Sequence, residues 1–382
     1  MSLPRYPQYK DSGVEWLVNI PTSWDVKRIK HTTYLKGRVG WKGLTSDEYL
    51  ERGYAYLVTG TDFSEKFINW NECHCVEQAR YEDDPFIQLR DGDLLITKDG
   101  TIGKLALVAG LDRPACLNSG IFLIRPTSSY VTEYMYWVLK SDAFKVFCDL
   151  SSVGSTIQHL YQNIFEDFAF PIPSLQEQRS VAAFLDRETG KIDALISEQE
   201  KLLILLSEKR QATISHAVTK GLNPDVPMKD SGVKWLGDVP EHWRVSPLKY
   251  LVSLKSGGTP SKENLEFWDG DVPWASAKDL KSEQLADTID HITNVAIESG
   301  NASLIPAGSV LVVVRGMILA RIFPVVETLV PMAINQDLKG VQALAGLHES
   351  FLAWLLRGSA NESLCRLDEA GHPSSTVNRV TH

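Results

Sequence analysis

The densest chemistry in the sequence is Lys98-Asp99-Gly100-Thr101-Ile102-Gly103-Lys104, where two lysines, a threonine and two glycines crowd seven positions. Lysine ammonium groups and the backbone N–H groups of glycine-containing loops suit phosphate oxygens, whereas Arg, Asn, Gln and Thr side chains can read base edges. The same residue types gather elsewhere. In the N-terminal half they are Lys36, Arg38 and Lys42, then Thr59-Gly60-Thr61, then Thr156 and His159. In the C-terminal half they are Lys255, Thr259 and Lys262, then Ser276 and Lys278, then Arg315, Arg321, Asn335 and Gln336. Any one of these taken alone is an ordinary solvated residue. Together they are the candidates for nucleic-acid contacts, and Lys98–Lys104 is the loop favoured among them.

Catalytic sets are missing or fragmentary. Asp83-Asp84-Pro85-Phe86 resembles the Asp-Pro-Pro-Phe motif of adenine methylation, but aspartate replaces the first proline and no glycine-rich cofactor turn accompanies it. Asp269 or Asp271 with Asp279-Leu280-Lys281 approximates a nuclease carboxylate–lysine pattern, yet Asp-x-Lys recurs at Asp337-Leu338-Lys339. Cys73-His74-Cys75 is half a zinc site at most, because structural zinc takes four ligands in spaced pairs. Its residues read instead as a strand of alternating burial. The chain is expected to be a non-catalytic binding protein with no catalytic residue, metal or cofactor of its own.

Composition is that of a soluble globular protein, 43% hydrophobic and 23% charged over 382 residues. The net charge of −9 gives no overall attraction to nucleic acid, so any such site must be a local basic concentration. Five cysteines fit reduced thiols, and neither a signal-peptide core nor an apolar membrane span is visible. A cytoplasmic location is expected.

The elements that position these loops are repeated. Lys10-Asp11-Ser12-Gly13-Val14-Glu15-Trp16-Leu17 returns as Lys229-Asp230-Ser231-Gly232-Val233-Lys234-Trp235-Leu236, an offset of 219 residues. The register continues through Pro21 with Pro240 and Trp24 with Trp243, and more loosely through Asn118 with Asn335 and Trp137 with Trp354. Such a long offset means two copies of a domain. Between the landmarks the loops differ, which suggests two modules doing one job on two targets. Short apolar runs (Leu94–Ile96, Leu105–Val108, Ile121–Ile124; Val310–Val314, Ile322–Val326) predict mostly antiparallel sheets. One helix is predicted to follow in each copy, at Tyr130–Leu150 and Leu347–Cys365.

Between the copies, Ser174 and Glu177 form a capping box, no proline follows until Pro224, and Gly221 supplies a stop. One helix from Leu175 to Lys220 is predicted, roughly 70 Å long at about 1.5 Å per residue. Val181, Leu185, Ile192, Leu195, Leu202 and Leu206 fall at coiled-coil spacing, interrupted by Gln199, and need a partner helix. The expected fold class is α+β, two α/β globules joined by a long coiled-coil-forming helix. The expected domains are residues 1–172, a spacer helix at 173–222, and a second, incomplete globule at 223–382.

The paired Lys-Asp-Ser-Gly-Val-x-Trp-Leu segments, Arg90-Asp91-Gly92-Asp93-Leu94-Leu95, and Ile164–Gln178 with Phe184-Leu185-Asp186 resemble the specificity subunits of Type I restriction–modification systems. The resemblance covers nearly the whole chain. It implies a DNA-binding, non-catalytic subunit with two target-recognition domains that read a bipartite double-stranded DNA site. It also implies partner subunits: modification subunits that methylate adenine with S-adenosylmethionine, and restriction subunits using ATP and Mg2+. The family's second conserved helix has no counterpart in this sequence, so a C-terminal truncation is expected on this resemblance. The chain is then a homodimer through its helix, a fragment completed by another polypeptide, or a silenced allele. The alternative function is that of a truncated or split half-subunit acting mainly as a coiled-coil assembly protein.

Overall fold

A computed structural model describes residues 6–38, 44, 48–151, 159–344 and 346–360. The chain divides into two compact units, Met1–Ile196 and Ser197–His382, with the boundary inside the long helix. Both units mix helix and sheet.

In the first unit the apolar run at Leu94 becomes the middle strand Leu94–Thr97 of a six-stranded sheet, flanked by Ile121–Pro126 and Leu105–Leu107. Leu94 and Ile96 enter one core with Phe122, Met135, Phe144 and Phe165, while Leu95 enters another with Leu57, Cys116 and Leu123. Burial on both faces explains why this run shows no polar alternation. A second sheet orders Ala115–Leu117, Ala55–Val58 and His74–Val76. The second unit repeats the plan. Leu311 and Val313 face one core and Val310 and Val312 another, and a four-stranded sheet contains Trp268–Ala275 beside Met332–Ile334.

The duplicated opening segment makes the same hairpin twice, Tyr9–Asp11 with Asn19–Pro21 and Met228–Asp230 with Asp238–Pro240. Asp11 and Asp230 each accept the glycine N–H two residues on at 2.9 Å, and Gly13 and Gly232 both sit at φ +69°, where a Cβ is strained.

Two local expectations change. The predicted helix Tyr130–Leu150 is two helices, Thr132–Lys140 and Asp142–Ser151, because Ser141 is extended and turns its hydroxyl back onto the Val138 carbonyl. The strand expected at Ile322–Val326 lies at Val325–Thr328, with Ile322 exposed. The sheets are mostly antiparallel, as expected; among the parallel pairs are Ala55–Val58 with Ala115–Leu117 and Trp268–Ala275 with Met332–Ile334. In the second copy the helix is Glu349–Gly358, and Cys365 lies outside the described residues.

The long helix runs Leu175–Lys220. Ser174 caps it by accepting the Glu177 N–H at 3.3 Å, and Gly221 ends it at φ +78°. Its first turns dock on the first unit. Buried Gln178 accepts the Val131 N–H at 2.9 Å and donates to the Pro173 carbonyl at 2.8 Å. Asp186 holds Lys66 in an ion pair and accepts the Trp137 indole N–H at 2.9 Å. Its last turns dock on the second unit, where Ser215 donates to the Gly358 carbonyl at 2.7 Å. A Cβ at Gly358 would stand 2.7 Å from Val218, so the close approach of these helices requires glycine. Among the expected pairing residues, Val181 packs against the first core and Leu185 is half-buried. Ile192, Leu195, Leu202 and Leu206 are exposed.

Candidate nucleic-acid interface

In each unit one parallel strand pair, Ala55–Val58 with Ala115–Leu117 and Trp268–Ala275 with Met332–Ile334, ends at a cluster of turns. In the first unit the chain leaves Ala55–Val58 through Thr59-Gly60-Thr61-Asp62 and leaves Ala115–Leu117 through Asn118-Ser119-Gly120. The Asn118 N–H donates to the Val58 carbonyl at 2.9 Å, which ties these turns together. The Lys98–Lys104 loop joins them, because the Lys98 N–H donates to the Gly120 carbonyl at 2.9 Å. Gly60 leaves room for it: a Cβ there would lie 2.9 Å from Thr97 Cγ2.

The second unit builds the same frame from different residues. The Asn335 N–H donates to the Ala275 carbonyl at 2.9 Å, and the Val314 N–H donates to the Asp337 carbonyl at 2.8 Å. The correspondence reaches the side chains. Asp62 accepts the Thr59 N–H at 2.7 Å and hydroxyl at 2.9 Å; Asp279 accepts the Ser276 N–H at 2.8 Å and hydroxyl at 2.9 Å. Both aspartates are buried, at 3% and 8% exposure, so they shape the turns and do not face a ligand. What differs is outside: Thr61 against Lys278, Ser119 against Gln336, and the Lys98–Lys104 loop against Arg315–Arg321.

Most of the expected residues meet at these clusters. Thr61, Thr101 and Lys104 are exposed in the first, and Lys98 lies with its ammonium 4.9 Å from the Phe122 ring centre. His159 reaches the same loop through Asp99 at 2.8 Å, and the Leu160 N–H donates to the Lys98 carbonyl at 3.0 Å. In the second, the Thr259 hydroxyl bonds Gln336, and Lys278 pairs with Asp290 at 2.7 Å, which raises the lysine pKa. Arg315 and Arg321 are exposed. Lys36 and Lys255 sit on outer strands, and Lys262 is an exposed residue of the loop that follows Thr259. Lys42 and Thr156 lie outside the described residues.

Two expected contacts are structural instead. Arg38 is 1% exposed, and its Nε donates to the Leu117 carbonyl at 2.9 Å. The guanidinium is thereby turned under the Asn118 turn and away from solvent. Asn335 is buried and accepts the Asp337 N–H at 3.1 Å, so the neighbouring Gln336 is the side chain presented. Sequence reasoning missed Asp62 and the turn-holding roles of Asn118 and Asp279, the first of which it named only as a landmark of the repeat and the second only in an Asp-x-Lys pattern. A signal existed, since Thr/Ser-x-x-Asp and the two asparagines recur at a common offset of 217 residues.

The described cysteines are packing residues. Cys73 and Cys75 are buried on either side of exposed His74, and burial pushes the Cys116 thiol up to about 11 although Arg38 beside it acts in the opposite sense. Among the described residues no three His, Cys, Asp or Glu side chains gather as a metal-ligand set.

Residues 46–203 match the family model of the Type I restriction modification DNA specificity domain. The specificity subunit of the EcoR124I/EcoR124II enzyme of Escherichia coli is 43% identical over 86 residues, 22% of this chain and 21% of that one. The MjaIX specificity subunit of Methanocaldococcus jannaschii is 24% identical over 303 residues, 76% of this chain and 66% of that one. The chain therefore spans less than two thirds of the length of these relatives. Its fold is similar to the HsdS subunit of Thermoanaerobacter tengcongensis, with a TM-score of 0.56 at 16% identity over 95% of this chain and 84% of that one. The chain is similar to type I restriction–modification specificity subunits, and residues 46–203 carry the match to their DNA specificity domain.

Proposed function

We propose that this chain is a non-catalytic, sequence-specific DNA-recognition subunit that reads a bipartite target, one half with each globule. The observation that carries this reading is the duplicated cluster: four backbone and side-chain bonds recur at matching positions, while the exposed residues differ. A frame kept and a surface changed is what two modules need to read two different sequences. Backbone N–H groups, lysines and the exposed Arg315 and Arg321 suit phosphates, and Gln336 and Thr61 suit base edges.

In this reading adenine methylation and DNA restriction are carried out by partner subunits in the cytoplasm, where S-adenosylmethionine, Mg2+ and ATP are bound. The relatives are specificity subunits of restriction enzymes by name, which supports modification and restriction subunits as partners. The exposed seam of Ile192, Leu195, Leu202 and Leu206 supports a helix in trans, from a second copy or a complementing fragment.

The test is adenine-methylation mapping by long-read sequencing in cells expressing this chain with its neighbouring modification subunit. A two-part motif is expected. An asymmetric motif means both globules read DNA, and a palindromic one means a dimer using one globule twice. No motif, beside a full-length relative that directs the same modification subunit, overturns the reading in favour of an assembly protein.

A further inference from the structure

Met317 is 92% exposed, more than any other large apolar side chain among the described residues. It heads the turn Met317–Ala320, entered through Gly316 at φ 125° and ψ 162°, a conformation essentially closed to residues with a Cβ. Behind it the turn is anchored. Leu319 is buried and Ile318 half-buried in the core of the second unit, and the Arg321 N–H donates to the Ile318 carbonyl at 3.0 Å. The backbone beneath Met317 is thus fixed while the side chain projects into water.

Arg315 and Arg321 flank this tip, both exposed, and neither guanidinium makes a hydrogen bond or ion pair among the described residues. The loop leaves strand Val310–Val313 through Val314, which the Asp337 carbonyl holds, so it opens from the turn cluster of the second unit. The corresponding loop of the first unit has Asp99, Gly100 and Thr101 at its head and no exposed apolar residue.

Met317 lies between two unpaired guanidiniums, with the 52% exposed Ile322 beyond Arg321, and an apolar protein surface would have to desolvate both charges to cover it. This tip matches duplex DNA, where phosphates take the arginines and an apolar side chain can enter between stacked bases. We propose that Met317 is a wedge that partly unstacks one base step of the half-site read by the second globule, with Arg315 and Arg321 on the neighbouring phosphates. Pyrimidine–purine steps are the favoured target because they unstack most easily. The proposal rests on the DNA-recognition reading above and adds a deformation to it.

The experiment uses the full chain and a pool of random-sequence duplexes. The bound fraction is treated with permanganate, which oxidises unstacked thymines, and is then sequenced. The parent should show one hyperreactive thymine at a fixed place in the selected motif. Met317→Ala should bind more weakly with an unchanged salt slope and lose that thymine to background, while Met317→Phe should retain it. Arg315→Ala should lower the salt slope by about 1. A parent that selects a motif without a hyperreactive thymine, or a Met317→Ala variant that keeps it, overturns the wedge and leaves the recognition reading standing. If Met317→Ala leaves DNA binding and reactivity unchanged but no longer retains a modification subunit, Met317 is a protein contact and the wedge is wrong. A parent that selects no duplex overturns both.

Discussion

Asp62 holds Thr59 twice, accepting its backbone N–H at 2.7 Å and its hydroxyl at 2.9 Å. The buried carboxylate fixes the turn that presents Thr61, as Asp279 does for Lys278. Asp62→Ala strands two donors, at a cost of about 1–3 kcal/mol. Selection of bound duplexes should then lose one half of the motif for Asp62→Ala and the other half for Asp279→Ala. If both variants lose the same half, the clusters are not separate readers.

Lys98 and Lys104 belong to one loop, held to the Gly120 and Thr97 turns by backbone bonds. In the proposed reading both contact phosphates, and each neutralises one charge. Lys98→Ala and Lys104→Ala should weaken binding for all sequences alike and lower the slope of log affinity against log salt by about 1 each. Fluorescence anisotropy between low and moderate salt measures this. Parent-like slopes for both would take the loop off the DNA.

Arg38 should behave oppositely. Its guanidinium is buried against the Leu117 carbonyl and Cys116. Arg38→Ala leaves that carbonyl without this donor and opens a void under the Asn118 turn, so a stability loss of about 1–3 kcal/mol is expected. Thermal denaturation should register it while the salt slope stays at the parental value. A reduced slope with unchanged stability would return Arg38 to the interface.

Arg125 grips buried Asp93 through two bonds of 2.6 Å, joining the strand Ile121–Pro126 to the turn that opens strand Leu94–Thr97. Removing the arginine abandons a buried carboxylate. Arg125→Ala should cost about 3–5 kcal/mol, whereas removing both partners together should cost less. The second unit has Ser309 at the Asp93 position, held by Thr328 instead of an arginine. A double-mutant cycle read by denaturant unfolding tests the pair.

The long helix was legible to its last residue because a capping serine, a glycine stop and the absence of proline are local signals. The duplicated hairpin was legible for the same reason, since Asp11-Ser12-Gly13 and Asp230-Ser231-Gly232 encode their own turns. Burial was not. Lys36 and Arg38 look alike in sequence, but only the packed fold shows that one stays out and the other folds beneath Leu117. Asn335 and Gln336 present the same difficulty, and which faces solvent depends on the bond from Asp337. The break at Ser141 was hidden because the apolar pattern continues through it. Met317 was passed over because an exposed methionine reads as core in a one-dimensional pattern.

The helix poses a further question of how many partners it needs. Leu202, Leu203, Ile204, Leu205 and Leu206 are consecutive and all exposed. At 3.6 residues per turn, five successive positions pass completely round the helix, and one partner helix covers only a stripe. A helix paired along Leu195, Leu202 and Leu206 leaves Ile204 on nearly the opposite side, and in the proposed reading a second body covers it there. Leu195→Asp should reduce the sedimentation mass to that of a single chain. Ile204→Asp should keep the paired mass but lose the modification subunit in co-purification. Were Ile204→Asp to dissociate the pair and Leu195→Asp to spare it, the seam would lie on the other face. Parental mass and retention in both variants would mean that this apolar girdle is not an assembly surface.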